Sequence, residues 1–198
     1  MARVLTPTRP RWTRSRLGRV ALALLLAALS VLASSPADPK PDRAGLELEA
    51  KFTILLGSFI RFPVAKEPST PFVIAVLGES PFTGELEVFA KGNTIQGRPI
   101  RILSCQRVPE GQPCDLLFIC RSEWPRVGAI VAWCKGRGVL TVAEGERMAA
   151  RGVMVNLFVE ADRLRLGLNE RTLEEEGFTV AANVLPSARI LVHGRGPR

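Results

Sequence analysis

An unbroken apolar run at residues 72–77 (FVIAVL) predicts a β-strand that is buried on both faces. Residues 115–120 (DLLFIC) and 138–142 (GVLTV) have the same character, whereas 98–103 (RPIRIL) alternates apolar and polar positions in its centre. Helical patterns separate these segments. Alternating strands and helices indicate an α/β domain with a mostly parallel sheet.

The helical segments differ in length and in their start signals. Apolar residues at helical spacing predict an amphipathic helix over 46–62, ended by Pro63, with an apolar face of Leu48, Phe52, Leu55, Leu56 and Phe59. We expect Thr83 to cap a short helix that reaches residue 90, and Ser122 to cap a longer one. A brief helix is expected at 144–151.

The pattern changes after residue 152. Residues 153–160 and 163–168 alternate apolar and polar positions on either side of a two-residue connection, which predicts an antiparallel hairpin. Asn169 is expected to cap a last short helix that Gly177 ends. Residues 178–192 are apolar but interrupted by Pro186, so the pattern is compatible with either a strand or a helix there. We therefore predict a small three-layer α/β fold with a flavodoxin- or Rossmann-like, mostly parallel sheet and a C-terminal antiparallel hairpin.

The amino terminus has the three parts of a secretory signal peptide. Six arginines precede any acidic residue, an apolar run follows at 20–33, and small residues come next. We predict a signal peptide at 1–33 with cleavage near Ala33 or Ala37, a flexible linker at 34–45, one domain at 46–192 and a disordered tail at 193–198. An uncleaved anchor is the alternative, and both interpretations place the domain outside the cytoplasm.

Charge excludes one class of partner. The formal charge is +8, but six of these positive charges lie in the predicted signal peptide, and the rest of the chain has no basic block. Nucleic-acid binding is therefore not expected. Stable membrane insertion after cleavage is not expected either, and neither is a cytoplasmic cofactor such as ATP or NAD.

The sequence has no catalytic or metal-binding motif. His193 is the only histidine, no Gly-x-Ser-x-Gly is present, and the four cysteines contain no Cys-x-x-Cys. We predict no enzyme activity, no catalytic residue, no metal and no cofactor.

The cysteines are candidates for disulfides in an oxidising compartment. A flavodoxin-like strand order places Cys114 and Cys134 at the same edge of the sheet, so this pair is preferred. Cys105 and Cys120 lie at the opposite strand ends, with the first strand between them. Four buried free thiols are the alternative.

Two further groups are candidate binding sites. Gly78, Glu79, Ser80 and Thr83 follow the first strand, where ligands bind in open α/β sheets, although plain turn chemistry explains them as well. A partner surface is predicted from three residues, namely Trp133, Arg163 and Arg165. The alternative for the two arginines is a solvated strand face.

Several segments, in order, resemble the YfiR-like family of periplasmic regulators, over about residues 48–192. They are Glu49–Phe52, Phe59–Pro63, Phe72–Phe82, Ile95–Pro99, Cys114–Ile119 with Ser122 and Glu123, Gly138–Val142, Gly152 with Met154–Asn156, and Arg165–Asn169. Two departures are Phe62, where the family usually has tryptophan, and Pro186, where it has a leucine-rich helical turn. Cys114 occupies the position of a cysteine that is bridged in some members.

The resemblance implies a periplasmic, non-enzymatic α/β protein. It would repress an inner-membrane diguanylate cyclase by binding the cyclase's periplasmic sensor domain. A homodimer of the protein itself is a further possibility. The alternative function is a periplasmic small-ligand-binding module of an envelope signalling or export complex.

Overall fold

The strand Phe72–Leu77, here β2, is an interior strand of an eight-stranded sheet. The structure is a computed structural model, and it describes residues 43–82, 84–161 and 163–194. The predicted signal peptide, residues 34–42 of the predicted linker, Thr83, Asp162 and residues 195–198 lie outside the described residues.

The helices are short apart from the first. They are α1 (Arg43–Phe59), α2 (Glu85–Ala90), α3 (Val127–Cys134) and α4 (Glu170–Glu175), together with 3₁₀ helices at Arg121–Arg126, Glu146–Arg151 and Leu185–Ser187. The other strands are β1 (Ile60–Arg61), β3 (Thr94–Ile95), β4 (Arg98–Cys105), β5 (Leu116–Ile119), β6 (Leu140–Glu144), β7 (Val155–Glu160), β8 (Arg163–Asn169), β9 (Thr179–Val180) and β10 (Ala188–Val192). No helix among these described residues has the length and hydropathy to span a membrane.

The sheet confirms the predicted fold class. Its order is β10-β8-β7-β6-β5-β2-β4-β3, and the five strands β4, β2, β5, β6 and β7 are parallel neighbours. Numbered among themselves, these strands have the flavodoxin order 2-1-3-4-5. Strands β7 and β8 form the predicted antiparallel hairpin, and β10 then pairs parallel to β8.

Alternate residues of the central strands enter two separate cores, which gives three layers. Phe72, Ile74 and Val76 of β2 belong to the core that α1 and α2 cover. Val73, Ala75 and Leu77 belong to the core on the other face, which α3 covers. A strand buried on both faces is what the unbroken apolar run predicts.

The predicted apolar face of the first helix is correct only in part, because Leu56 is buried and Phe52 is partly buried against the core. The buried side chains of α1 include Ala50, Thr53 and Ile54, whereas Leu48 is 41% exposed. The close approach of the sheet explains the difference, because an ideal Cβ on Gly57 would lie 2.9 Å from Ile95 and 3.0 Å from Phe72. Small residues such as Ala50 and Gly57 therefore share the buried face with Ile54 and Leu56.

Two predicted helix caps also need revision. Ser122 lies inside a 3₁₀ helix and caps neither that helix nor α3, because its hydroxyl accepts a hydrogen bond from the Glu79 amide at 2.9 Å. The N-cap of α2 is Gly84, which follows the undescribed Thr83. The cap at Asn169 is confirmed, since its side chain accepts from the Thr172 amide at 3.1 Å.

Residues 178–192, for which the sequence left strand and helix open, contain both. Strand β9 pairs with β1 in a separate two-stranded sheet, and a 3₁₀ turn that contains Pro186 leads to β10. Strand β1 begins where the first helix was predicted to continue. Its two residues carry no periodic signal, so only the pairing with β9 defines it.

Candidate functional site

The predicted crevice residues form a turn at the carboxyl end of β2. Gly78 has a φ of +96°, and an ideal Cβ there would overlap Ser122 Oγ and lie 2.7 Å from Cγ of Glu123. The Ser80 hydroxyl accepts a hydrogen bond from the Phe82 amide at 3.1 Å. The side chains of Ser122 and Glu123 thus occupy the space over Gly78, while Glu79 and Ser80 are exposed.

Paired charges lie at this same carboxyl edge of the sheet. Glu144 ends β6 in a buried position, and its carboxylate accepts a hydrogen bond from Arg121. Glu123 is buried in the neighbouring 3₁₀ helix and is paired with Arg126. The sequence did not reveal this cluster, because its members come from separate segments and match no motif.

A third carboxyl group, that of Glu49, approaches the cluster from α1. Its side chain is only 2% exposed, and its Oε1 has no hydrogen-bond partner among the described residues. Burial and the nearby charge of Glu144 raise the pKa of Glu49 to about 8, although Arg121 opposes them. Glu49 is therefore mainly protonated at neutral pH. A carboxyl group that keeps its proton at neutral pH is unusual.

The opposite, amino edge of the sheet has a network around Asp115, the residue before β5. Its Oδ1 accepts from Lys66 Nζ at 2.8 Å and from Arg98 Nη1 at 3.0 Å. Its Oδ2 accepts from Arg98 Nη2 at 2.9 Å and from the Val73 amide at 2.8 Å. Burial alone would raise the pKa of Asp115, but these hydrogen bonds outweigh burial and the pKa is lowered. Asp115 thus ties together β2, β4, β5 and the loop at Lys66.

The predicted partner residues lie on separate elements. Trp133 of α3 is half-buried against the core, with the guanidinium of Arg137 5.1 Å from the centre of its ring. Arg163 and Arg165 are exposed on β8. No ring or ion contact within the described residues joins Trp133 to these arginines.

Arg165 belongs to an exposed chain of ion pairs. It lies 3.5 Å from Glu160, which pairs with Arg189 at 2.9 Å. Arg189 also reaches Glu146 at 3.3 Å. The charge of Arg165 is therefore partly balanced by its neighbours.

All four cysteines are free thiols in the structure, so the predicted disulfides are not formed there. Cys114 and Cys134 both belong to the core beside α3. Burial raises the pKa of Cys114, Cys120 and Cys134 to about 12, and it also raises the pKa of Cys105. Thiols in such surroundings behave as small apolar side chains. No group of three or more potential metal ligands is found among the described residues.

A sequence model described as YfiR/HmsC-like matches residues 46–189. The match covers α1 from residue 46 onward, the five parallel strands β2 and β4–β7, and the hairpin of β7 and β8. No curated protein matches the chain.

Proposed function

Because the chain belongs to the YfiR/HmsC-like family, we propose that it is a periplasmic regulator that represses an inner-membrane diguanylate cyclase. It does so by binding the cyclase's periplasmic sensor domain. The observation that carries this proposal is the family match over residues 46–189, which includes nearly all of the described domain. The signal-peptide pattern at 1–33 supports export to the same compartment.

The proposed mechanism needs binding and no bond chemistry. The sensor domain has an active and an inactive state, and the regulator binds the inactive state more tightly. A difference of about 3 kcal/mol in binding free energy shifts the equilibrium between these states by roughly 150-fold. Loss of the regulator, or a signal that weakens its binding, then releases cyclase activity in the cytoplasm.

We propose that the exposed start of β8 and helix α3 provide the contact. Arg163 and Arg165 present positive charge on β8, and Trp133 offers an aromatic surface beside Arg137. Arginine and tryptophan are the residue types that contribute most to binding energy at interfaces. An acidic patch on the sensor domain would complement the arginines.

The experiment is a measurement of cyclic di-GMP in cells that lack the gene. Deletion is expected to raise the cyclic di-GMP content, and adding back the wild-type gene is expected to lower it to the original level. A gene without codons 2–37 is expected to fail, because the protein then stays in the cytoplasm. An unchanged cyclic di-GMP content after deletion would contradict the proposal.

Variants locate the contact in the same assay. Arg163→Gln combined with Arg165→Gln is expected to lose repression, while Arg147→Gln, a matched exposed arginine on the 3₁₀ helix Glu146–Arg151, is expected to keep it. Equal abundance of the variants in the periplasm, measured by immunoblot, separates loss of binding from loss of protein. Full repression by the double variant would exclude the β8 surface.

A further inference from the structure

We propose that a cavity at the amino edge of the sheet binds a small organic carboxylate with an apolar body. This inference goes beyond the proposed function, and it holds whichever partner the protein regulates. The cavity has a volume of about 470 Å³ and lies between β2, β4 and the start of β5. That volume falls within the range of small-molecule sites, roughly 300 to 1,000 Å³.

Positive charge predominates in the cavity. Lys66, Arg98 and Arg101 line it, together with the single carboxylate of Asp115. All the acceptor positions of Asp115 are used, because each of its oxygens accepts two hydrogen bonds. Two cationic charges are therefore left without a counter-charge from the lining of the cavity.

The cationic groups have donors to spare. Lys66 is 38% exposed, and with one hydrogen bond to Asp115 its ammonium group keeps two N–H donors for a ligand. Arg101 is exposed and makes no ion pair or side-chain hydrogen bond to any residue that the structure describes. A carboxylate that entered the cavity would gain charge-assisted hydrogen bonds from both residues.

The site is held in place by its buried arginine. Arg98 is 5% exposed, and besides Asp115 it donates from Nε to the Thr70 carbonyl at 3.0 Å and from Nη2 to the Pro71 carbonyl at 2.7 Å. Because these bonds fix the guanidinium, the loop that carries Lys66 stays aligned with β4. Binding then costs little ordering of the protein.

The rest of the lining is largely apolar, and this determines the class of ligand. Val73 and Leu103 form part of the wall, together with Pro71 and Pro113. Inorganic phosphate would satisfy the cations but leave this wall unoccupied. An arylacetate or a short fatty acid would satisfy both, because its carboxylate meets Lys66 and Arg101 while its apolar body covers the wall.

Titration calorimetry on the purified protein tests the site with phenylacetate as the probe. We expect a Kd of about 1 mM or tighter, and at least roughly tenfold weaker binding of the neutral isostere phenylacetamide and of inorganic phosphate. No binding of phenylacetate, or equal binding of phenylacetamide, would overturn the carboxylate site. Equal binding of phosphate would show an unspecific anion site and would overturn the proposed ligand class.

Arg101→Gln tests the location of the site. We expect it to weaken phenylacetate binding by roughly tenfold and to leave the melting temperature unchanged, because the side chain is exposed and has no partner among the described residues. Arg147→Gln removes an exposed arginine from another part of the chain and is expected to bind as the wild type does. Wild-type affinity in Arg101→Gln and also in Lys66→Gln would place the binding elsewhere and overturn the proposal.

Discussion

Glu49 keeps its proton at neutral pH, because burial and the nearby Glu144 raise its pKa to about 8, against an ordinary value of 4.5. Between these two values the folded protein binds more protons than the unfolded chain does. The free energy of unfolding therefore falls as the pH rises from about 5 to 8. Each unit of pKa difference corresponds to about 1.36 kcal/mol.

Glu49→Gln isolates this effect, since the amide is neutral at every pH and has nearly the same shape. Relative to wild type, we expect the variant to gain about 2 to 5 kcal/mol of stability between pH 5 and pH 8. Urea unfolding at the two pH values measures the difference. Parallel pH profiles of variant and wild type would show that Glu49 has an ordinary pKa.

The four thiols give a second test at this scale. Cys114, Cys120 and Cys134 are buried, and their pKa is raised to about 12, so few are thiolates at pH 8. We expect Ellman's reagent to react promptly with at most the half-buried Cys105, and with all four cysteines after unfolding. Two reactive thiols in the unfolded, unreduced protein would instead indicate one disulfide, with Cys114 and Cys134 as the predicted pair.

Single residues were predictable from the sequence where their partners are local. Asn169 caps α4 through an amide three residues away, and the sequence shows that signal directly. Ser122 has the same cap signal, but its hydroxyl is used by the amide of Glu79, which lies 43 positions earlier. The buried Glu49 was missed for the same reason, since its surroundings come from distant segments.

At the level of elements, Gly78 follows β2 and packs closely against the 3₁₀ helix Arg121–Arg126. Gly78→Ala combines a φ of +96° with overlap against Ser122 and Glu123. Gly92 is a matched control, since its φ is +75° and nothing lies within 4 Å of an added Cβ. We expect Gly92→Ala to lose about 1 kcal/mol of stability and Gly78→Ala about 3 kcal/mol or more. Equal losses would mean that the two elements are not in tight contact.

The Asp115 network is expected to hold β2, β4 and β5 together. Asp115→Asn leaves Arg98 buried without a charged partner, so we expect a loss of about 3 to 5 kcal/mol in unfolding free energy. Glu67→Gln, at an exposed carboxylate nearby in sequence, should change stability by less than about 0.5 kcal/mol. A similar small change for Asp115→Asn in urea unfolding would refute a stabilising role.

Elements were predictable where they are long and periodic. The apolar run of β2 predicted its burial on both faces, and the alternation in β7 and β8 predicted their antiparallel pairing. The alternation did not predict that residues 155–158 are buried on both faces. The two-residue strands β1, β3 and β9 carry no such pattern and exist only through their partners. The face of α1 was predicted only in part, since Leu56 is buried as expected, but the close contact with Ile95 also selects small residues such as Gly57.

For the whole molecule, the order of strands and helices along the chain determined most of the architecture. Parallel strands joined by right-handed crossovers have few arrangements, and the flavodoxin order is among the commonest. Partner recognition is not accessible in this way, because Trp133, Arg163 and Arg165 follow no periodic rule. Their role at an interface, like the signal peptide at 1–33, stays a prediction.

Reconstitution, in lipid vesicles, of an inner-membrane diguanylate cyclase from the same cells tests the central claim most directly. The purified protein is added on the side of the sensor domain, and the rate of cyclic di-GMP synthesis is measured on the other side. We predict a saturable fall in rate, with less inhibition by Arg163→Gln combined with Arg165→Gln. A rate that stays constant at saturating protein concentration would contradict the account.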